Sequence, residues 1–397
     1  MISAATAKAL AFGVGEHELR PPLSTGSKLN WVICIPTYKR ARLLALLLSD
    51  ISRQSVRPGL AIVVDGDPQS GEVLRNLQEG AGRFEFPIRH VPSNHGNLAY
   101  QRYLGWRITA TERCQILVYL DDDLRINDRY SLERLLTPMF SGDSKVVGCT
   151  GDIRFGDLGN LEEGQQSLRD RHAFSQKPRS KLVKLFGSSR GLPPGALAAS
   201  GHRSPPEAAA GSQAPVQWLR GGVMAYRMSA LSEDCFSADL FALSEIGCGH
   251  GEDTLLSRRI ASRGRLLMNF NAVFNHPNAD TPKSYATKAF HMAYGTAYSR
   301  RLLNDNYRWP GRVRMADRIA LLKSYCGTSL LNWLRALTSP RAHRLAYACG
   351  YTLGALNGVF LPPRSSRLTP GIDWAADAQR ALSASDAVRN AALEKVN

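Results

Sequence analysis

Four strand-like runs, at 31–35, 60–64, 84–91 and 116–120, alternate with segments whose apolar residues recur at helical spacing. The helical segments are 43–51, 73–77 and a stretch through Tyr103, Trp106 and Ile108. Unbroken apolar runs suit strands covered on both faces, and strands alternating with helices predict a parallel sheet with right-handed crossovers. Pro36-Thr37-Tyr38-Lys39-Arg40 breaks the first strand, Asp65-Gly66-Asp67-Pro68 closes the second, and Asn94-His95-Gly96-Asn97 opens the third helix. Further strands are expected at 146–155 and 266–274, ordered chain at 216–226, and a helix at 252–262 stopped by Gly264.

The fourth run ends in Asp121-Asp122-Asp123. Adjacent carboxylates repel unless a cation joins them, and a divalent metal is the usual one. A strand end in an α/β sheet also faces the crevice where ligands bind. The triplet therefore reads as a metal site that holds phosphate oxygens. The competing reading is an acidic turn in which Asp123 caps a helix.

With 397 residues the chain can bury one large α/β domain plus a helical appendage, or two domains. Its net charge of +16 favours anionic partners and says nothing about the fold. Seven scattered cysteines, none at zinc-ligand spacing, read as reduced core residues of a cytosolic protein. Residues 1–30 read as a loose lead-in whose apolar run is too short and weak for a signal peptide. Residues from about 156 to 215 are rich in Gly, Ser, Pro and Ala, which predicts a disordered insertion or a lid, with a basic apolar island at 181–186. From 284 to 360 the pattern is helical; 309–344 is rich in arginine and nearly free of acid, and 345–363 carries no charge but is diluted by Gly350, Gly354 and Gly358. Those segments are expected either to lie on an anionic membrane surface or to pack on the main domain.

Several ordered motifs within 31–277 resemble the inverting GT-A glycosyltransferases of family 2. They are Cys34-Ile35-Pro36-Thr37-Tyr38-Lys39-Arg40, Val63-Val64-Asp65-Gly66-Asp67, Asn94 with Gly96 and Gln101-Arg102-Tyr103-Leu104-Gly105, the aspartate triplet as a DxD motif, Gly221-Gly222, Gly251-Glu252-Asp253-Thr254, and His276. The sequence departs from the family at Tyr103, where Asn is usual. The resemblance implies a Rossmann-like, mostly parallel α/β GT-A domain over 31–280 and a C-terminal helical region over 281–397.

It also implies site roles. Pro36, Thr37, Tyr38, Arg40, Asp65, Asn94, Arg102, Asp121 and Asp122 would hold a nucleotide sugar, with Arg102 either pairing with phosphate or locking a carboxylate. Asp123 and His276 would ligate Mn²⁺ or Mg²⁺, and Asp121 would join them or hold the ribose. Asp253 is the favoured general base, with Glu252 as acceptor contact or substitute base. Trp218, Arg220, Gly221, Gly222 and His250 would face the acceptor. The expected donor is a UDP-sugar, and the acceptor a hydroxyl on a glycan or lipid-linked glycan of surface polysaccharide synthesis. The expected location is the cytoplasm, with 309–363 able to hold the protein at the inner face of the plasma membrane.

Two other functions fit parts of the sequence. A sugar-1-phosphate nucleotidylyltransferase would also use acidic metal ligands on an α/β sheet, but the loop after the first strand lacks its glycines. A basic membrane- or nucleic-acid-binding protein would suit the charge, yet no nucleic-acid motif is present, so no nucleic-acid partner is expected.

Overall fold

The computed structural model describes residues 30–80, 82–112, 114–140, 143–155, 192–207, 213–237, 240, 241, 243, 251–277, 285–360 and 373–394. The lead-in, most of the 156–215 insertion with its 181–186 island, Cys248 and His250 lie outside these residues.

Eight strands form one sheet: β1 (Trp31–Thr37), β2 (Leu60–Asp65), β3 (Ile88–Pro92), β4 (Ile116–Leu120), β5 (Val146–Phe155), β6 (Gln213–Val216), β7 (Val223–Arg227) and β8 (Arg265–His276). Their order is β3-β2-β1-β4-β7-β5-β8-β6. The first four pair in parallel, as the alternation predicts. The sheet is mixed beyond them, because β7 runs antiparallel to both β4 and β5, and β6 antiparallel to β8. An apolar run carries no mark of its direction, so the sequence could not show that β7 is reversed.

Alternate residues of each central strand feed opposite cores. Trp31, Ile33 and Ile35 join Val118 and Leu120 on one face, under α1 (Ala41–Ser52), α2 (Glu72–Glu79) and α4 (Ser131–Phe140). Val32 and Cys34 join Leu117 and Tyr119 on the other, under α3 (Leu98–Thr111) and α5 (Glu252–Ile260). Burial on both sides explains why these strands are apolar without alternation.

Some expectations shift. β1 continues through Pro36 and Thr37 instead of breaking there. Its ladder with β4 ends at Cys34, so the missing proline N–H falls where pairing on that side has stopped. β3 starts at Ile88, not at 84; Phe84 and Phe86 stack on each other, 6.1 Å apart, ahead of it. Helix α4 was not anticipated. The six described cysteines are free, but among them only Cys34, Cys149 and Cys235 are buried, and Cys326 is exposed, which corrects their reading as core residues.

Four further helices follow: α6 (Tyr285–Asp305), α7 (Met315–Thr338), α8 (Ala342–Phe360) and α9 (Trp374–Glu394). Tyr298 and Leu302 of α6, and Ala378 and Ala381 of α9, belong to the same core as Val32 and Cys34. Gly350 and Gly354 face α6 so closely that a Cβ on either would collide with the carbonyl oxygen of Phe290 or Tyr294, and one on Gly358 would collide with Tyr325 Oη. The glycines that dilute 345–363 are thus the surface by which α8 seats on α6 and α7.

Candidate active site

The triplet leaves β4 at the edge of the sheet to which the parallel strands β1, β2 and β4 run. Thr37, the last residue of β1, donates its hydroxyl to Asp122 Oδ2 at 2.7 Å. Arg40 donates to Asp122 Oδ1 at 3.1 Å and to Asp123 Oδ2 at 2.6 Å. Asp122 and Asp123 are only 4% and 6% exposed, so the reading as a solvated acidic turn fails. Asp123 caps no helix, because α4 begins only at Ser131. Burial pushes the Asp122 carboxyl up to about 6, against the opposing pull of the Thr37 hydrogen bond and the Arg40 charge. Burial likewise raises Asp121, against Arg102.

Asp123 Oδ1 is buried without a hydrogen-bond partner and lies 3.3 Å from His276 Nε2. His276 ends β8 and sets its Nδ1 3.1 Å from the Pro277 carbonyl. A carbonyl can only accept, so this contact makes Nδ1 the donor and, in the neutral ring, leaves the Nε2 lone pair facing Asp123. An orphaned carboxylate oxygen beside an imidazole nitrogen is a donor pair that fits Mn²⁺ or Mg²⁺. Among the described residues no group of three His, Cys, Asp or Glu side chains stands at metal-holding distances. Asp121 is turned instead toward Arg102.

Arg102 is the hinge pin of the site. It is 2% exposed. Its guanidinium donates to Asp121 Oδ1 at 3.0 Å, to the Gly221 carbonyl at 2.9 Å and to Glu252 Oε1 at 3.2 Å. It therefore joins the strand end to the first turn of α5. Of the two expected roles, the structure shows the carboxylate lock.

Gly251 opens α5 at φ 100°, a left-handed conformation that suits glycine. Glu252 and Asp253 then diverge. Glu252 is 5% exposed, holds Arg102 through Oε1, and has no partner at Oε2. Burial, aided by the Asp253 charge and opposed by Arg102, raises its carboxyl. Asp253 Oδ2 accepts from the Gly221 N–H at 2.9 Å, and Oδ1 from the Thr254 N–H at 2.7 Å. A Cβ on Gly221 would stand 3.2 Å from Asp253, so glycine lets the backbone reach the carboxylate. Gly222 accepts the Asp121 N–H at 3.0 Å.

Other expected residues are spread around this centre. Tyr38 is 48% exposed and lies against Gly96. Pro36 is buried in β1. Asp65 is wholly buried, with Oδ1 accepting from the Asp67 N–H at 2.9 Å and Oδ2 facing His90 Nε2 at 3.1 Å. Asn94 donates to Asp377 of α9 at 3.3 Å. Arg220 donates to the Ile153 carbonyl at 3.2 Å, and burial lowers its pKa. Trp218 lies under the Arg203 guanidinium, 5.1 Å from it.

Two residues escaped sequence reasoning. Arg203, from the described part of the insertion, sits 3.8 Å from Asp253 Oδ1 and donates to Thr254 Oγ1 at 2.7 Å. Asp377 receives Asn94, the Tyr100 hydroxyl at 3.1 Å and His95 at 3.3 Å. Neither carries a local motif.

Residues 32–194 match the family model described as glycosyl transferase family 2. No protein of curated function matches the chain. Among solved structures, the mannosyltransferase PcManGT from Pyrobaculum calidifontis, in complex with GDP-Man and Mn²⁺, is 14% identical; the match covers 84% of this chain and 88% of that one, with a TM-score of 0.44. S. aureus TarS 1–349 is 12% identical over 83% of this chain and 90% of that one, at 0.39. A mycobacterial protein is 13% identical over 70% and 75%, at 0.34.

Proposed function

We propose that this chain, whose residues 32–194 match the model of glycosyl transferase family 2, is a glycosyltransferase that moves a sugar from a nucleotide-diphosphate sugar to a hydroxyl acceptor with inversion at the anomeric carbon. The observation that carries the reading is the orphaned Asp123 Oδ1 beside His276, in the same triplet whose Asp121 is joined through Arg102 to Glu252.

Asp123 and His276 would hold Mn²⁺ or Mg²⁺. Such a cation neutralises the charge that builds on a departing diphosphate. Thr37 and Arg40 keep Asp122 and Asp123 in place, and Arg40, with 42% of its side chain exposed, can also meet a phosphate. Tyr38 offers an exposed ring at the nucleotide side.

Asp253 takes the proton of the acceptor hydroxyl. The acceptor oxygen bonds to the anomeric carbon as the bond from that carbon to the diphosphate oxygen breaks, and the nucleoside diphosphate leaves. Asp253 suits this role better than Glu252. Its side chain keeps 13% exposure against 5%, and Glu252 is spent on Arg102. A lone base placed opposite the leaving group gives inversion. UDP is the first nucleotide to test, and a glycan or lipid-linked glycan hydroxyl the first acceptor.

The expected outcome for Asp253→Asn is retained binding of nucleotide with Mn²⁺ and transfer reduced at least ~100-fold, the ordinary contribution of a general base. Product formation from radiolabelled donor measures it. Near-normal turnover in this variant, with turnover lost in Glu252→Gln, would move the base to Glu252.

A further inference from the structure

The helices α7 and α8, joined by the 339–341 turn, each carry a row of exposed apolar residues that no described residue covers, interrupted on α7 by exposed Lys323 and Cys326. On α7, Met315, Ile319, Leu322, Leu330, Leu334 and Leu337 are all exposed, Met315 by 75% and Leu337 by 69%. At about 100° per residue they fall within an arc of roughly 120°. On α8, every exposed residue beyond Ala342 is apolar: Leu345, Leu353, Leu356 and Phe360, the last by 73%. They share an arc of about 80° on the side opposite Gly350, Gly354 and Gly358, the face already seated on α6 and α7. Burying one face against the protein while lining the other with leucine has no use in water.

The charges around this surface identify its partner. Segment 309–363 holds seven Lys and Arg against one acid. That acid, Asp317, is buried and held by Arg308. Lys323 and Arg335 are the only charged residues exposed on the described parts of the two helices, flanked by exposed Arg314 and Arg341. A second copy meeting this face about a two-fold axis would bring like charges together. An anionic lipid surface offers apolar depth for the leucines and phosphate for the cations. Among the described residues no helix is long and apolar enough to cross a membrane, so the contact is a flat one.

We propose that the α7–α8 pair lies in the interface of an anionic bilayer, its leucines and Phe360 below the headgroups and Lys323, Arg335, Arg314 and Arg341 at their level. This goes beyond the sugar-transfer reading and does not depend on it.

Co-sedimentation of the full chain with vesicles of phosphatidylcholine alone, or mixed with phosphatidylglycerol, tests it. The protein should sediment with the anionic vesicles, and added salt should weaken the binding. Replacing Leu334, Leu337, Leu356 and Phe360 together by Ser should cut partitioning about tenfold or more, with the melting curve kept as the control for folding. A second variant, Lys323→Glu with Arg335→Glu, leaves the apolar face intact and should lose the preference for the anionic vesicles. Failure of the wild-type chain to sediment, or unchanged binding in either variant, overturns the proposal. So does a dimer in light scattering that the Ser variant disperses, because a second copy would then be the occupant.

Discussion

Glu252 and Asp253 are chain neighbours with opposite surroundings, and that difference can be measured. Burial is the largest cause that lifts the Glu252 carboxyl, from the ordinary 4.5 to about 7, with Arg102 pulling the other way. A carboxyl raised in the folded state takes up a proton on folding. Its contribution to stability is complete below about 4.5 and is lost as pH rises through about 7. The Gln variant cannot titrate, so its stability should lack this component. Thermal melts at a series of pH values from 5 to 8 should show Glu252→Gln gaining on the wild type as pH rises, by about 1–3 kcal/mol over the range. Loss of the Arg102 partner shifts the whole curve but not its slope. Parallel curves would mean that Glu252 is ionised throughout and that Arg102 governs its charge.

At the scale of elements, the last of the described helices packs on the 93–97 loop, which the proposed function puts on the donor side. Asp377 of α9 holds Asn94, His95 and the Tyr100 hydroxyl, and Trp374 packs on His95 with ring centroids 5.1 Å apart. Gly96, in the same loop, is the residue on which Tyr38 rests. Asp377→Ala should therefore loosen the 93–97 loop and raise the KM for the donor several-fold while leaving kcat within about twofold. The lost hydrogen bonds should also lower stability by about 1–3 kcal/mol. Steady-state kinetics against donor concentration separate these effects. A fall in kcat at constant KM would show that α9 acts on the reacting groups and not on the nucleotide loop. This contact was not legible in the sequence. Asp377 lies 283 residues from Asn94 in a stretch that reads only as a helix, and Arg203 lies 51 residues from Thr254 in a stretch that reads as loose insertion. Aspartates at strand ends and the acid pair at a helix start were legible because each stands at an element boundary that local patterning marks, whereas His276 was singled out only by the resemblance to the family. The partners that hold them come from the tertiary fold, as does the reversed direction of β7 between β4 and β5.

At the scale of the whole molecule, a chain with a net charge of +16 gathers five carboxylates, Asp121 to Asp123 with Glu252 and Asp253, into one crevice. The long-range field draws in an anion, but at the crevice itself the local charge opposes a diphosphate. Arg40, Arg102 and Arg203 offset part of that charge and are already paired with these acids. On the proposed function a diphosphate at the lip of β4 would call for further positive charge, which Asp123 Oδ1 and His276 Nε2 would hold. Binding of nucleotide and of metal should accordingly be linked. UDP with Mn²⁺ at about a hundred times the dissociation constant should stabilise the folded chain by about 2.7 kcal/mol, seen as a rise of several degrees in the melting temperature. UDP with a chelator, or Mn²⁺ alone, should produce much smaller shifts. His276→Ala should abolish the joint shift while leaving the melting temperature of the unliganded protein within about two degrees, since its side chain lies at the rim with 27% exposure. An equal shift from UDP in the presence of chelator would show that arginine alone carries the diphosphate, and the metal pair at Asp123 and His276 would then have to be given up.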